Sequence, residues 1–213
     1  MAVLAKICGI TTAEALASTI DGGAAMAGFV FYPPSPRHLA DLGLANALTQ
    51  AAAGKLKRVG LFVDPTPQQI ESALSRISLD LLQLHGHESP EVCLKLKQRF
   101  GLPLIKALPV STAADLAAAS AYGDSADYFL FDARPPKNVR PGGNALSFDW
   151  SLLRGKKFAR PFLLAGGLTA ENLENAVKTS ISSWVDVSSG VEDHVGHKSP
   201  ALIRHFLARC REL

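Results

Sequence analysis

Eight short apolar runs recur every 23 to 34 residues, each followed by a loop and an amphipathic, Ala/Leu-rich stretch. That rhythm predicts an α/β chain folded as a single-domain (β/α)8 TIM barrel of the phosphate-binding type. Three observations carry the prediction. A spacing of about 25 residues is what one strand, one helix and two short loops require. Strands alternating with helices demand a parallel sheet with right-handed crossovers, and eight such units suit a closed barrel, for which 213 residues is compact. The third is negative: no Gly-x-Gly-x-x-Gly turn follows the first run, as a doubly wound dinucleotide-binding sheet would require. No linker-like segment interrupts the pattern, so residues 1–213 read as one domain.

The strands are expected over Leu4–Cys8, Gly28–Tyr32, Arg58–Asp64, Leu81–His85, Leu104–Leu108, Tyr128–Asp132, Phe162–Ala165 and Val185–Ser188. After the first, Thr11 stands three residues before Glu14, the spacing of a reciprocal N-terminal cap. After the third, Pro65 to Gln68 opens a helix with Ile70, Leu74 and Ile77 on one face. After the fourth, Ser89 precedes Pro90, whose missing N–H costs nothing at a first helical position; Val92, Leu94 and Leu96 follow. Thr169, with Asn172 and Leu173 behind it, opens a late helix. Ile203, Phe206, Leu207 and Cys210 repeat at i, i+3, i+4 and i+7 and predict a closing helix with one apolar face.

Apolar residues make up 47% of the chain and charged residues 19%, which excludes a disordered or low-complexity protein. A chain of this size buries roughly 70–75% of its unfolded surface and needs no disulfide or metal staple. The balance of 22 basic against 19 acidic residues, a net +3, is too mild for a nucleic-acid partner. The basic segments Lys55–Arg58 and Arg154–Arg160 read as solvated loops and strand entries. Three cysteines, Cys8, Cys93 and Cys210, are an odd number without metal-ligand spacing and read as reduced thiols. Lys6 follows too few apolar residues for a secretory leader, and no apolar run approaches the roughly 18 residues of a membrane span. The expectation is a cytoplasmic protein with neither membrane nor nucleic acid as partner.

In a barrel of this kind the reacting groups sit at the carboxyl ends of the strands and in the loops beyond. Cys8, His85 and Asp132 stand out there, each a titratable group directly ending an apolar run. The last two strands end in small residues, Ala165-Gly166-Gly167-Leu168-Thr169 and Asp186-Val187-Ser188-Ser189-Gly190. Glycines let backbone N–H groups approach an anion, serine hydroxyls add donors, and a helix N-terminus favours negative charge. Gly166, Gly167, Ser188, Ser189 and Gly190 are therefore the expected phosphate-binding residues, after strands seven and eight where this fold habitually holds phosphate.

Several longer motifs run through the chain in order. They are Lys6-Ile7-Cys8-Gly9-Ile10-Thr11, Gly28-Phe29-Val30-Phe31-Tyr32 with Ser35-Pro36-Arg37, and Gln83-Leu84-His85-Gly86. Phe148-Asp149-Trp150 and Val185-Asp186-Val187-Ser188-Ser189-Gly190-Val191-Glu192 complete the set. Together they resemble the phosphoribosylanthranilate isomerases of tryptophan synthesis. The resemblance implies an Amadori rearrangement of a phosphorylated sugar, with Cys8 as general base, Asp132 as general acid and Arg37 pairing the anthranilate carboxylate in a bidentate fork. One acid and one base suffice for that reaction, so neither a cofactor nor a metal is expected. For His85, substrate contact, an orienting hydrogen bond and helix entry all stay open. The expected partner is the small phosphorylated substrate, and the chain could be a monomer or a homodimer.

Each role carries an electrostatic demand. Cys8 must spend part of its time as thiolate, which a nearby cation favours. Lys6, two residues earlier on the same side of the strand, is placed to supply it or to pair structurally with Asp186. Asp132 must hold its proton when substrate arrives, which partial desolvation favours. His194 and His197 read as loop residues, and Cys93 and Cys210 as packing residues.

The chain departs from the family in one segment, Arg134–Ala145, which is long and rich in proline and basic residues. The family commonly has glycine where Ala145 stands and often Thr or Ser in place of Asn144. The segment reads as a variant lid. Two rival functions are weaker. A metal-dependent sugar-phosphate epimerase would need His85, His87, Asp64 and Asp132 to converge, yet only His85 of the His-x-His pair points inward and no second strand ends in histidine. A non-catalytic phosphate-binding barrel would need neither Cys8 nor Asp132.

Overall fold

The computed structural model describes residues 3–136 and 142–213. Eight parallel strands form a closed barrel in sequence order: β1 (Leu4–Cys8), β2 (Met26–Val30), β3 (Lys57–Phe62), β4 (Leu81–Leu84), β5 (Leu104–Val110), β6 (Tyr128–Ala133), β7 (Phe162–Leu164) and β8 (Trp184–Val187). The ring closes where β8 pairs with β1, with Lys6 opposite Asp186. All eight strands lie on the expected runs, five of them ending one or two residues early because the pairing gives way to the loops that form the barrel mouth, while β5 and β6 run one or two residues longer.

Six crossovers are α-helices: α1 (Ala13–Asp21), α2 (Leu42–Ala52), α3 (Pro67–Leu74), α4 (Pro90–Phe100), α5 (Leu173–Ser180) and α6 (Pro200–Glu212). Among the described residues, the crossovers after β5 and β6 carry only 3₁₀ turns, Asp115–Tyr122 and Trp150–Leu153. The first of these gives the core just Leu116 and Ala119, too little apolar surface to anchor a full helix face. A short antiparallel hairpin, β9 (Glu192–His194) and β10 (His197–Lys198), follows β8. His194 and His197 are thus hairpin residues with stacked rings 4.5 Å apart, where a plain loop was expected.

Local chemistry corrects several helix boundaries. Thr12, rather than Thr11, caps α1 by accepting from the Ala15 N–H at 3.2 Å. Thr66 and Gln69 form the reciprocal cap of α3, and Ile77 lies beyond that helix though still buried. Ser89 does cap α4, but the buried face is Cys93 and Leu96, with Val92 and Leu94 exposed. Asn172, rather than Thr169, precedes the first residue of α5, and the two brace the preceding turn through side-chain-to-backbone bonds in both directions. The closing helix α6 buries Ile203, Phe206, Leu207 and Cys210 as its period requires.

Strand alternation sorts the side chains into two environments. Ala5, Ile7, Ala27, Phe29, Leu82, Leu84, Phe129, Phe131, Val185 and Val187 face outward into the layer shared with the helices. Met26, Val59, Leu81, Ile105, Ala107, Leu130, Leu163 and Ala165 fill the barrel interior. Above that apolar plug the inward positions become polar, and the chemistry begins there.

Candidate active site

A cleft with about 740 Å³ of open space sits at the carboxyl end of the strands. Its wall brings together Cys8, Arg37, His85, Asp132, Gly166, Gly167, Ser188 and Ser189. Gly190 alone among the expected site residues does not line it. A side chain there would run into the Leu168 carbonyl, so Gly190 is what lets the turns after β7 and β8 lie against each other. Gly166 and Gly167 have φ of +89° and +64°, the left-handed backbone that glycine adopts without penalty. Asn172 locks their turn by donating to the Gly167 carbonyl at 2.8 Å.

The thiol of Cys8 rests on a charged pair. Lys6 is fully buried, and its ammonium donates to Asp186 Oδ1 at 2.8 Å, with Asp186 only 7% exposed. Burial opposes the charge on Lys6, but Asp186 and then Cys8 outweigh it and hold the ammonium above its ordinary pKa. For Cys8, burial pushes the thiol up and Lys6 pulls it down, and burial prevails. Lys6 therefore moderates the cost of the thiolate without removing it. Gly28 makes this arrangement possible: a Cβ there would stand 2.9 Å from Cys8 Sγ and 3.0 Å from Lys6 Nζ.

A second network runs along the cleft wall. Arg37 Nε and Nη2 donate to the two carboxylate oxygens of Glu192 at 2.6 and 2.9 Å. The Nε/Nη2 edge of Arg37 is thus engaged by Glu192, and Nη2 also donates to the Gly143 carbonyl at 3.3 Å. The buried Lys198 also donates to Glu192, and to the Ser188 carbonyl at 3.1 Å and hydroxyl at 3.2 Å. The Ser188 hydroxyl in turn donates to the Cys8 carbonyl at 3.0 Å. Burial raises the Glu192 pKa, but Arg37 and Lys198 overcome it and hold the carboxyl below its usual range. The same chain of bonds ties the β8 turn to the end of β1.

On the far side, His85 Nε2 lies 3.2 Å from Asp132 Oδ2, and the Ala133 N–H donates to Asp132 Oδ1 at 2.9 Å. His85 lines the cleft beside Asp132, so substrate contact and the orienting contact both stay open for it. The His85–Gly86 turn is braced from below by buried Glu88, which accepts from the Asp64 and Gly86 N–H groups and from Lys106 at 2.6 Å. His87 is 95% exposed and turned onto Asp64, so the epimerase ligand set does not converge. Among the described residues, the metal-capable cluster is Asp193, His194 and His197, out on the hairpin.

The lid segment is described on both sides of residues 137–141; Lys137, Asn138, Val139, Arg140 and Pro141 lie outside the described residues. Gly142, Gly143, Asn144, Ala145 and Leu146 line the cleft. Ala145 has φ of +55°, left-handed backbone that glycine would adopt without penalty. Gln83, Glu192 and Lys198 are the contributors that sequence reasoning gave no role.

Fold and site are those of a (β/α)8-barrel enzyme, with its polar groups gathered at the carboxyl ends of the strands and two glycine-rich turns after strands seven and eight. The family model for N-(5'phosphoribosyl)anthranilate (PRA) isomerase matches residues 5–209. The N-(5'-phosphoribosyl)anthranilate isomerase of Paramagnetospirillum magneticum is 50% identical over 212 residues, covering 99% of this chain and 98% of that protein. That of Rhodospirillum centenum is 50% identical over 210 residues and covers 98% of each. The crystal structure of phosphoribosyl anthranilate isomerase from Thermotoga maritima superposes with a TM-score of 0.87 at 35% identity, covering 99% of this chain and 100% of that one. Another isomerase structure, in complex with reduced 1-(o-carboxyphenylamino)-1-deoxyribulose 5-phosphate, gives 0.85 at 35% identity with the same coverage. The chain belongs to the N-(5'-phosphoribosyl)anthranilate isomerase family and is an isomerase of tryptophan biosynthesis. No helix among the described residues is long and apolar enough to cross a membrane.

Proposed function

We propose that this chain rearranges N-(5'-phosphoribosyl)anthranilate to 1-(2-carboxyphenylamino)-1-deoxyribulose 5-phosphate by general acid–base catalysis, with Asp132 as acid and Cys8 as base. The observation that carries the reading is convergence: a thiol, a carboxyl and two glycine-rich turns border one cleft. The substrate phosphate is held by backbone N–H groups of the turns at Gly166–Gly167 and Ser188–Ser189, and the Nη1 side of Arg37 meets the anthranilate carboxylate.

Asp132 gives its proton to the furanose ring oxygen as the C1'–O bond breaks, while the nitrogen lone pair forms a cationic Schiff base. Cys8 then takes the proton from C2'. The C2'–H electron pair becomes the C1'=C2' bond, and the nitrogen recovers its lone pair. The enolamine ketonises as the O2' proton is lost and C1' gains one. Ring opening creates a positive charge next to a buried thiol, and that charge favours the thiolate at the moment it is needed. The neutral thiol first gives its proton up to solvent, and the thiolate so formed is the species that takes the C2' proton.

Loss of substrate fluorescence, with substrate generated in situ and chelator present, tests the assignment. The unaltered protein is expected to turn over, and Cys8→Ala and Asp132→Ala to lose roughly 10²-fold or more. Binding without turnover returns the chain to a phosphate-binding role. Dependence on added metal favours the epimerase.

A further inference from the structure

Gln83 is the inward residue of β4 one step below His85, fully buried, with Leu81 beneath it in the apolar plug. Its amide nitrogen lies 3.0 Å from His85 Nδ1. An amide nitrogen only donates, so Nδ1 is the acceptor, and the single proton of the neutral ring belongs on Nε2. Nε2 is the nitrogen that faces Asp132 Oδ2 at 3.2 Å. The other amide atom, Gln83 Oε1, is buried with no hydrogen-bond partner among the described residues. A buried polar atom left unpaired is a standing cost, and here it accompanies the one amide orientation that donates to the imidazole.

We propose that Gln83 is a positioning residue for the isomerase reaction, fixing the Nε2–H tautomer of His85 so that the ring proton sits on the nitrogen nearest Asp132. The Ala133 N–H donates to Oδ1, and His85 Nε2 stands 3.2 Å from Oδ2. The carboxylate left after proton donation to the sugar then has one donor already bonded and a protonated ring nitrogen beside its other oxygen. With Nδ1 protonated instead, the Nε2 lone pair would face that new negative charge. Gly142 keeps the arrangement closed from above, since even a Cβ there would stand 3.1 Å from His85 Cε1. The catalytic consequence rests on the acid role proposed for Asp132; the tautomer itself does not.

Two measurements separate these levels. Long-range 1H–15N correlations of the His85 ring, with no substrate present, are expected to report the Nε2–H tautomer in the unaltered protein. A mixed tautomer is expected in Gln83→Met, which keeps length and loses the amide, and Nδ1–H or imidazolium in Gln83→Glu, which keeps shape and presents an acceptor. A ring protonated on Nδ1 in the unaltered protein, or unchanged in both variants, overturns the proposal whatever the activity. In turnover, Gln83→Met is expected to lower kcat about tenfold with KM within about twofold. In the His85→Ala background the same change is expected to add less than about twofold, because a residue acting through His85 has nothing left to act on. Equal losses in both backgrounds overturn the mechanism. A protein that turns over normally while Asp132→Ala is silent would instead refute the acid assignment and leave the tautomer result standing.

Discussion

On the β1–β8 side of the cleft, Cys8 sits on an ion pair whose members are 0 and 7% exposed, fixed by strand register and by Gly28 across the way. On the β4–β6 side, His85 and Asp132 are 11 and 13% exposed, meet at 3.2 Å and are covered by the lid segment. The side of the proposed base is buried charge held by the sheet, and the side of the proposed acid is a semi-open contact at the ends of β4 and β6, roofed by Gly142. On the proposed roles, a group that becomes charged only on demand is kept in a dry, pre-balanced setting. A group that hands over a proton is left where substrate completes its surroundings. The difference should be measurable as a difference in what each side contributes to stability.

The largest effect is expected from Lys6→Met. It leaves Asp186 buried without its partner, at a cost of about 3–5 kcal/mol in thermal or denaturant unfolding. Lys6→Met with Asp186→Leu should recover most of that loss, because no lone charge remains. His85→Ala should cost no more than about 1–2 kcal/mol. Equal costs on the two sides would break the comparison.

Next comes Gly28→Ala, which forces a methyl against Cys8 Sγ and Lys6 Nζ. About 1–3 kcal/mol is expected, with a drop in kcat as the thiol is displaced. Gly142→Ala, facing His85 from the lid, should lose less activity, since a loop can yield where a strand cannot.

The thiol itself gives a pH test. In a Cys93→Ala, Cys210→Ala background, thiolate absorbance should rise above the ordinary thiol pKa of about 8.5, because burial pushes Cys8 up. The native state then keeps a proton the unfolded chain has already lost, so stability falls as pH climbs from the ordinary thiol pKa toward the native one. The two background cysteines are pushed up by burial to about 11 and about 12, respectively, and are removed so that Cys8 is read alone. A titration at or below the ordinary value would show that Lys6 dominates after all.

The smallest effect is Ala145→Gly. It relieves left-handed strain of about 1–2 kcal/mol but adds unfolded-chain freedom worth about 0.4–1 kcal/mol, so unfolding should shift by about 0–1.6 kcal/mol in favour of glycine.

What could be read in advance follows from range. Cys8, His85 and Asp132 were legible because the barrel assigns chemistry to strand ends, and strand ends are visible as places where apolar runs stop. The closing helix was legible because four apolar residues share one local period. The face of α4 was misjudged, since Val92, Cys93, Leu94 and Leu96 are all apolar and only the neighbours decide which turn inward. The partners of Arg37 were invisible for a stronger reason: Glu192 lies 155 positions away, and no local pattern announces it. Lys198 reads as an ordinary lysine before a helix cap until the fold buries it against Glu192 and Ser188.

The Lys6–Asp186 bond joins residues 180 positions apart, at the seam where the last strand meets the first. A chain emerging from synthesis carries its lysine and thiol from the start, but the carboxylate that steadies them arrives only when nearly everything else has been made. Until then Cys8 is an ordinary cysteine on an unpaired edge. Closure of the ring is therefore also the step at which the thiol acquires its electrostatic setting, and a fragment lacking the final strand, however helical and compact, would carry the proposed base without the ion pair it rests on.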